Sequence, residues 1–184
     1  MFVFISVMRE VSFSYIVDAR TLSDNITSLS SYQVVSDYHH SMETAFLRER
    51  CTLSDISINI QFLFIMDFCY TVSKSFVLDH QYANLVSINI GSGCFHNVNR
   101  CVMNDLPCLE NVIVGQSCFG KDEHLFDIGC CYITNCPKLC RLRIGNHSFE
   151  YFRIFQLAGV GLLQSVSFGK GCFAYSDFSL QGML

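Results

Sequence analysis

Apolar residues recur in one fixed pattern through the second half of the chain. The pattern is L-x-x-I-x-I-G-x-x-C-F with conservative variations, and it begins at Leu85, Leu109, Leu139 and Leu163. The first and third spacings between these starts are equal, and the middle one is longer because it contains the polar insertion Gly120–Leu125. A period of roughly 24 residues is typical of a solenoid, in which each unit forms one coil and stacks on the next.

Each unit contains two apolar phrases that predict strands. The last three positions of L-x-x-I-x-I alternate in the way expected of a strand with one buried face. A second phrase, with apolar residues two positions apart, begins at Cys101, Cys131, Phe155 and Phe178. We therefore predict a β-rich solenoid of parallel strands stacked in coils of about 24 residues, preceded by a poorly patterned N-terminal segment.

A glycine and a phenylalanine follow the first strand of every unit. The glycine either adopts a positive φ for a tight turn or allows neighbouring coils to approach closely. The phenylalanine is expected to turn inward, so that stacking aligns four rings in a buried column worth roughly 1.5–3 kcal/mol per ring. These structural positions are Gly91, Phe95, Gly115, Phe119, Gly145, Phe149, Gly169 and Phe173.

The part of the chain before Leu85 lacks this regularity. Residues 1–50 are predicted to be an irregular segment, with a loop over Thr21–Asp37 and a short helix over Ala45–Arg50. Residues 51–84 form either a degenerate leading repeat, matched at Leu53-x-x-Ile56-x-Ile58, or a cap. The array covers 85–184 and stops within its last unit, so we expect a longer array or self-association through an uncapped C-terminal edge.

Composition and charge narrow the classes of partner that the chain is expected to bind. Apolar residues make up 51% of the chain, which argues against disorder. The net charge is -4 with 12 basic residues, so we expect no nucleic-acid partner. No stretch approaches the ~20 apolar residues that a membrane-spanning helix needs, so we expect no membrane span.

Eleven cysteines raise the question of metal binding or disulfides. Cys94, Cys118 and Cys172 share a repeat position with Ser148, and others fall where sister units carry Phe, Leu or Val, so most occupy predicted core positions. The densest cluster, Cys130-Cys131-x4-Cys136-x3-Cys140, has no second ligand pair at the distance typical of a zinc site. We expect reduced, metal-free thiols and a cytoplasmic location.

The chain contains no recognisable catalytic or cofactor motif. It has no nucleophile elbow, phosphate-binding loop or complete dinucleotide fingerprint. We therefore expect a protein that is not an enzyme and that binds no cofactor.

The repeat resembles a leucine-rich repeat. L-x-x-I-x-I is similar to the strand core of that family, and I-G-x-x-C-F resembles the I-G-x-x-A-F phrase of its BspA-like subfamily. The resemblance covers about residues 85–184 and implies a binding array without specifying the ligand. One departure concerns the position of the family's asparagine ladder, which is occupied here by Gly93, Ser117, His147 and Gly171. The backbone polar groups of the turn must therefore find hydrogen-bond partners in another way.

Protein–protein interaction through the array surface is the function that these features favour. The candidate contact residues project outward from the first strands of two successive units: Asn111, Ile113, Arg141 and Arg143. Two alternatives stay open. The chain is a substrate-selecting adaptor of a ubiquitin-ligase-type assembly, or, as the BspA-like resemblance implies, a cell-surface adhesion protein.

Overall fold

The computed structural model describes residues 32–36, 43–47, 53, 56–71, 73–120 and 129–181. These residues are rich in β-structure and contain almost no helix; a short 3₁₀ turn lies at His80–Tyr82. In chain order the strands are β1 (Tyr32–Ser36), β2 (Glu43–Leu47), β3 (Phe62–Ile65), β4 (Ser75–Leu78), β5 (Ser87–Ile90), β6 (Arg100–Asn104), β7 (Asn111–Val114), β8 (Cys130–Thr134), β9 (Arg141–Ile144), β10 (Ile154–Ala158), β11 (Ser165–Phe168) and β12 (Asp177–Gln181).

The strands form two sheets, and from β3 onward the chain alternates between them. The first sheet has the order β1-β2-β3-β5-β7-β9-β11, and the second has the order β4-β6-β8-β10-β12. β1 pairs antiparallel with β2, whereas all other pairings among the described strands are parallel. The prediction of a β-rich array of stacked parallel strands is therefore confirmed.

The strand register follows the sequence repeat. Ser87 of β5 pairs with Asn111 of β7, Asn111 pairs with Arg141 of β9, and Arg141 pairs with Ser165 of β11. Neighbouring strands of a sheet are therefore equivalent segments of successive units, which places equivalent side chains in columns across the sheet. The inward columns from both sheets belong to one buried core cluster.

The repeated glycine lies where successive units come closest. A Cβ atom on Gly115 would lie 2.6 Å from the backbone carbon and oxygen of Gly91, and one on Gly145 would lie at the same distance from those of Gly115. The residues with positive φ come two positions later, as at Gly93 (70°) and Ser117 (55°). Of the two roles predicted for the repeated glycine, close approach is the one that the structure requires.

The turn after the first strand is held by hydrogen bonds between units. The N–H of Ser117 donates to the carbonyl of Asn146 at 2.8 Å, and the N–H of His147 donates to that of Lys170 at 2.8 Å. The side chain that follows the repeated glycine also takes part, because Asn146 Oδ1 accepts from the N–H of Lys170 at 2.9 Å. These bonds give the backbone N–H groups of the turn their partners without an asparagine at the position where a leucine-rich repeat carries its ladder.

The four repeated phenylalanines form a buried column. Their rings are at most 2% exposed, and successive centroids lie 5.1, 4.4 and 4.9 Å apart from Phe95 through Phe119 and Phe149 to Phe173. Each has a left-handed backbone conformation, with φ between 50° and 60°. This conformation costs roughly 1–2 kcal/mol for a residue with a Cβ, and burial of the ring offsets the cost.

The structure corrects two predictions near the N-terminus. Residues 45–47 lie in β2, so the helix predicted over Ala45–Arg50 is wrong there, and the predicted loop over Thr21–Asp37 contains β1. Pairing with β2 and β3 supplied a strand environment that the local sequence did not indicate.

The segment before Leu85 contributes a strand to the first sheet, in a different register from the predicted match. Phe62 pairs with Ser87, which makes Ile60-x-x-Leu63-x-Ile65 the equivalent of Leu85-x-x-Ile88-x-Ile90. In the predicted match, by contrast, Ile58 is 54% exposed. The match was misleading because this unit has Met66, not glycine, after its strand.

Replacing Phe119 by alanine should lower the free energy of unfolding by roughly 3–5 kcal/mol, because the ring is fully buried between two neighbours. Phe68→Ala is the matched control, since Phe68 has nearly the same φ (60°, compared with 57°) but is 73% exposed. Chemical denaturation of both variants measures the difference. Equal midpoints for the two would contradict a stabilising ring column.

Replacing Gly115 by alanine should destabilise the stack by about 1–3 kcal/mol, because the new methyl group would overlap the backbone of the preceding unit. Gly161→Ala is the control, since a Cβ there meets nothing within 4 Å. Thermal or chemical unfolding of the two variants tests the role of close approach. A Gly115 variant as stable as the Gly161 variant would show that the units separate without cost.

Candidate functional site

The outer face of the first sheet carries the residues predicted to bind a partner. Strands β7 and β9 alternate strictly, so that Val112, Val114, Leu142 and Ile144 point into the core and the residues between them point outward. Asn111 lies beside Arg141, and Ile113 lies beside Arg143. The structure therefore brings all four predicted residues together on one surface.

The next strand extends this surface. Ser165 and Ser167 of β11 lie in register with Arg141 and Arg143 on the far side from β7. The arginines and both serines are exposed, whereas Asn111 and Ile113 are half-buried. We call these six residues the arginine patch: Asn111, Ile113, Arg141, Arg143, Ser165 and Ser167.

The two arginines of the patch have no ionic partner among the described residues. The ion pairs there join His80 with Asp79, His147 with Glu150, and Arg153 with Asp177. The outward residues of the adjacent strands, from β5 to β11, are otherwise uncharged. The patch is therefore a local positive surface on a chain whose net charge is -4.

The sheet face changes character toward the N-terminus. Phe46 of β2 and Phe64 of β3 stack with ring centroids 5.2 Å apart, and Phe64 is only 8% exposed although its neighbours Leu63 and Ile65 point inward. This aromatic pair is not among the residues that were predicted from the sequence to matter for binding. The signal was the unbroken apolar run Phe62–Ile65, which is typical of a strand covered on both faces.

The cysteines at the shared repeat position form a hydrogen-bonded column. Cys118 Sγ donates to the carbonyl of Gly91 at 3.0 Å, and Cys172 Sγ donates to that of Gly145 at 2.8 Å. Ser148 occupies the same position and donates its hydroxyl to the carbonyl of Gly115 at 2.7 Å. This position thus selects a small side chain with a donor, which explains why serine substitutes for cysteine there.

Burial governs the chemistry of most core thiols. It raises the pKa of Cys136 to about 11 and holds that of the fully buried Cys131 well above its ordinary value. Interaction with the neighbouring Cys118 thiol, together with burial, raises the pKa of Cys94, and interaction with Cys94 lowers the pKa of Cys118. Although its pKa is lowered, the Cys118 thiol is only 1% exposed, so it stays inaccessible to reagents.

The predicted thiol cluster is divided by the fold. Cys131 and Cys136 are buried, whereas Cys130 and Cys140, which precede and follow them in the sequence, are half-exposed. Within the described ranges, no group of three or more His, Cys, Asp and Glu side chains is arranged to hold a metal ion. The ten described cysteines are all free thiols.

The turns after β6, β8 and β10 form an open groove of about 480 Å³ that is lined by Asp105, Pro107, Asn135, Pro137 and Gly159. Asp105, Asn135 and Gly159 have φ values of 55°, 53° and 64°, and Asn135 Nδ2 donates to Asp105 Oδ1 at 3.0 Å. These residue types tolerate a positive φ, and their recurrence after the second phrase was a signal that the sequence analysis missed.

The last strands of both sheets leave apolar side chains open. Val166 and Phe168 of β11 are 39% and 37% exposed, although the equivalent Leu142 and Ile144 of β9 are at most 2% exposed. Phe178 of β12 is half-exposed in the same way. Self-association through this edge stays a prediction.

None of the helical segments in the described part of the chain is both long and apolar enough to cross a membrane.

Comparison with known proteins adds no assignment: no family model, curated protein or solved structure matches the chain.

The half-exposed thiols should react before the buried ones. Treating the native protein with an alkylating reagent should modify Cys108, Cys130 and Cys140 and leave Cys101 and Cys131 unmodified until denaturant is added. Burial keeps the reagent from both of the latter thiols, and it also disfavours the Cys131 thiolate by raising its pKa. Mass spectrometry of the non-reduced protein, with metal analysis, is the measurement. Stoichiometric zinc, or a disulfide between described cysteines, would contradict this prediction.

Proposed function

We propose that this chain is a protein–protein interaction module, built as a solenoid of the leucine-rich-repeat type, and that its partner binds the arginine patch. Successive units stack in register, so their outward side chains form straight columns on a rigid sheet. Solenoids use such extended surfaces to bind partners. The stacking of one unit on the next supports the solenoid part of the proposal.

The leucine-rich-repeat part rests on where the sequence phrase falls. In each full unit the last four residues of L-x-x-I-x-I are the first-sheet strand, as with Asn111–Val114 in the phrase that begins at Leu109. The glycine and the small donor residue of the I-G-x-x-C-F phrase make the contacts between units. These contacts explain the BspA-like phrase physically and support the resemblance.

The absence of an ion pair to Arg141 or Arg143 among the described residues is the single observation that carries the functional proposal. Both side chains are exposed and lie two residues apart on the same face of β9. Arg153 next to the second sheet, by contrast, pairs with Asp177 of the following unit at 3.0 Å. Arginine is enriched at protein interfaces because its planar fork donates several hydrogen bonds at once.

Two variants of the patch should abolish capture of a protein partner without unfolding the chain. Arg141→Glu with Arg143→Glu reverses the charge, and Ser165→Tyr with Ser167→Tyr covers the arginines without changing any charge. All four residues are exposed, so the unfolding free energy of each variant should lie within about 0.5 kcal/mol of the wild-type value. Thermal unfolding followed by circular dichroism checks this. Affinity capture quantified by mass spectrometry compares the partners of each variant with those of the wild type.

Matched controls lie on the outer face of the second sheet. Arg100→Glu reverses an exposed charge there, and Gln156→Tyr with Ser179→Tyr adds the same bulk to that sheet. A specific partner should survive both controls and be lost from both patch variants. A partner that survives both patch variants binds elsewhere, which would refute the proposed site.

A further inference from the structure

The two arginines have a defined spacing along one strand. They are two residues apart on β9, so their Cβ atoms are roughly 7 Å apart and point to the same face. The neighbouring columns lie about 4.8 Å away on each side and present an amide and an aliphatic side chain on β7 and two hydroxyls on β11. The two positive charges therefore lie along one strand, and the outward residues paired with them on the neighbouring strands carry no charge.

No described acidic group forms an ion pair with either arginine. Glu110 precedes β7 in the adjacent unit, and its backbone carbonyl accepts the N–H groups of Cys140 (2.9 Å) and Arg141 (3.1 Å). Its carboxylate forms no ion pair with either arginine. Both guanidinium groups therefore keep their full set of donors for a ligand from outside the described residues.

We infer, building on the proposed function, that the partner presents an acidic segment in an extended conformation, with two carboxylates two residues apart. Side chains two residues apart on an extended chain point to the same side at the same ~7 Å spacing as the arginines, so a segment running along β9 would pair each carboxylate with one guanidinium. Bidentate arginine–carboxylate bonds are stronger than neutral ones and fix orientation. Ser165 and Ser167 supply further donors on one side, and Ile113 supplies an apolar contact on the other.

The same patch is poorly built for a nucleic acid. Nucleic-acid binding relies on many phosphate contacts, commonly about 6–10, or on aromatic side chains that stack with bases. The outward residues from β5 to β11 include two cations and no aromatic ring: Ser87, Asn89, Asn111, Ile113, Arg141, Arg143, Ser165 and Ser167. Carboxylates of a protein partner match this surface better.

Fluorescence anisotropy with defined peptides tests the chemistry directly. The probe is a labelled, capped peptide with Glu-Val-Glu in a threonine- and valine-rich background, which favours an extended chain. The controls replace both glutamates by glutamine, or place the two glutamates next to each other so that they point to opposite faces. The Glu-Val-Glu peptide should bind at least about tenfold more tightly than either control, and salt at about 0.5 M should weaken it.

Arginine variants assign the binding to the patch. Arg141→Gln with Arg143→Gln should weaken peptide binding at least about tenfold, whereas Arg100→Gln on the second sheet should leave it unchanged. Equal binding by wild type and the double glutamine variant would overturn the inference. So would arginine-dependent binding of a short single-stranded DNA that is tighter than binding of the Glu-Val-Glu peptide.

Capture of the whole partner separates this inference from the proposed function. If the Ser165→Tyr/Ser167→Tyr variant loses the partner and the double glutamine variant keeps it, the patch is the binding site but its partner is not acidic, and the inference alone fails. If both variants keep the partner, the proposed binding site fails and the inference fails with it. Loss of the partner from both variants, together with the peptide selectivity above, is the expected result.

Discussion

The close approach of successive units is the constraint on which the rest of this structure depends. At the repeated glycine, the backbones of neighbouring units are so near that a single Cβ would lie 2.6 Å from the preceding carbonyl. This contact sets the spacing of the first-sheet strands at the point where they end. Everything that follows in the turn, including its backbone hydrogen bonds and the ring column, requires the units to stay at that distance.

The interior of the turn is matched to the same distance. The donor three residues after the glycine is a cysteine thiol or the Ser148 hydroxyl. In Cys118, Ser148 and Cys172 it reaches the glycine carbonyl of the unit before it. The phenylalanine that follows accepts a left-handed backbone because its N–H pairs with the preceding unit, as Phe149 does with Cys118 at 2.9 Å. A small donor followed by a large ring thus satisfies the polar backbone and fills the core in two adjacent positions.

The same regularity gives the outer face its chemistry. Because each strand pairs in register with its equivalent in the next unit, a substitution in one unit changes one element of a column and leaves the column in place. The column of Ser87, Asn111, Arg141 and Ser165 is polar throughout, and it acquires charge only at β9. The repeat therefore supplies the scaffold, and departures from the repeat on its exposed positions supply the features that distinguish one surface region from another.

Sequence by itself determined the repeat, the class of structure and the inward positions, because the period of the units and the alternation within their strands are both visible in one dimension. It also placed Asn111, Ile113, Arg141 and Arg143 on one face, since pairing of equivalent segments follows from the repeat itself. The register of the leading unit and strands β1 and β2 needed the tertiary structure, because their residues resemble the repeat weakly and form strands only when paired with neighbours. The role of the repeated glycine also became clear only from the tertiary structure. The sequence could not distinguish a positive φ from a close approach of backbones, because the atoms that come close belong to a different unit of the chain.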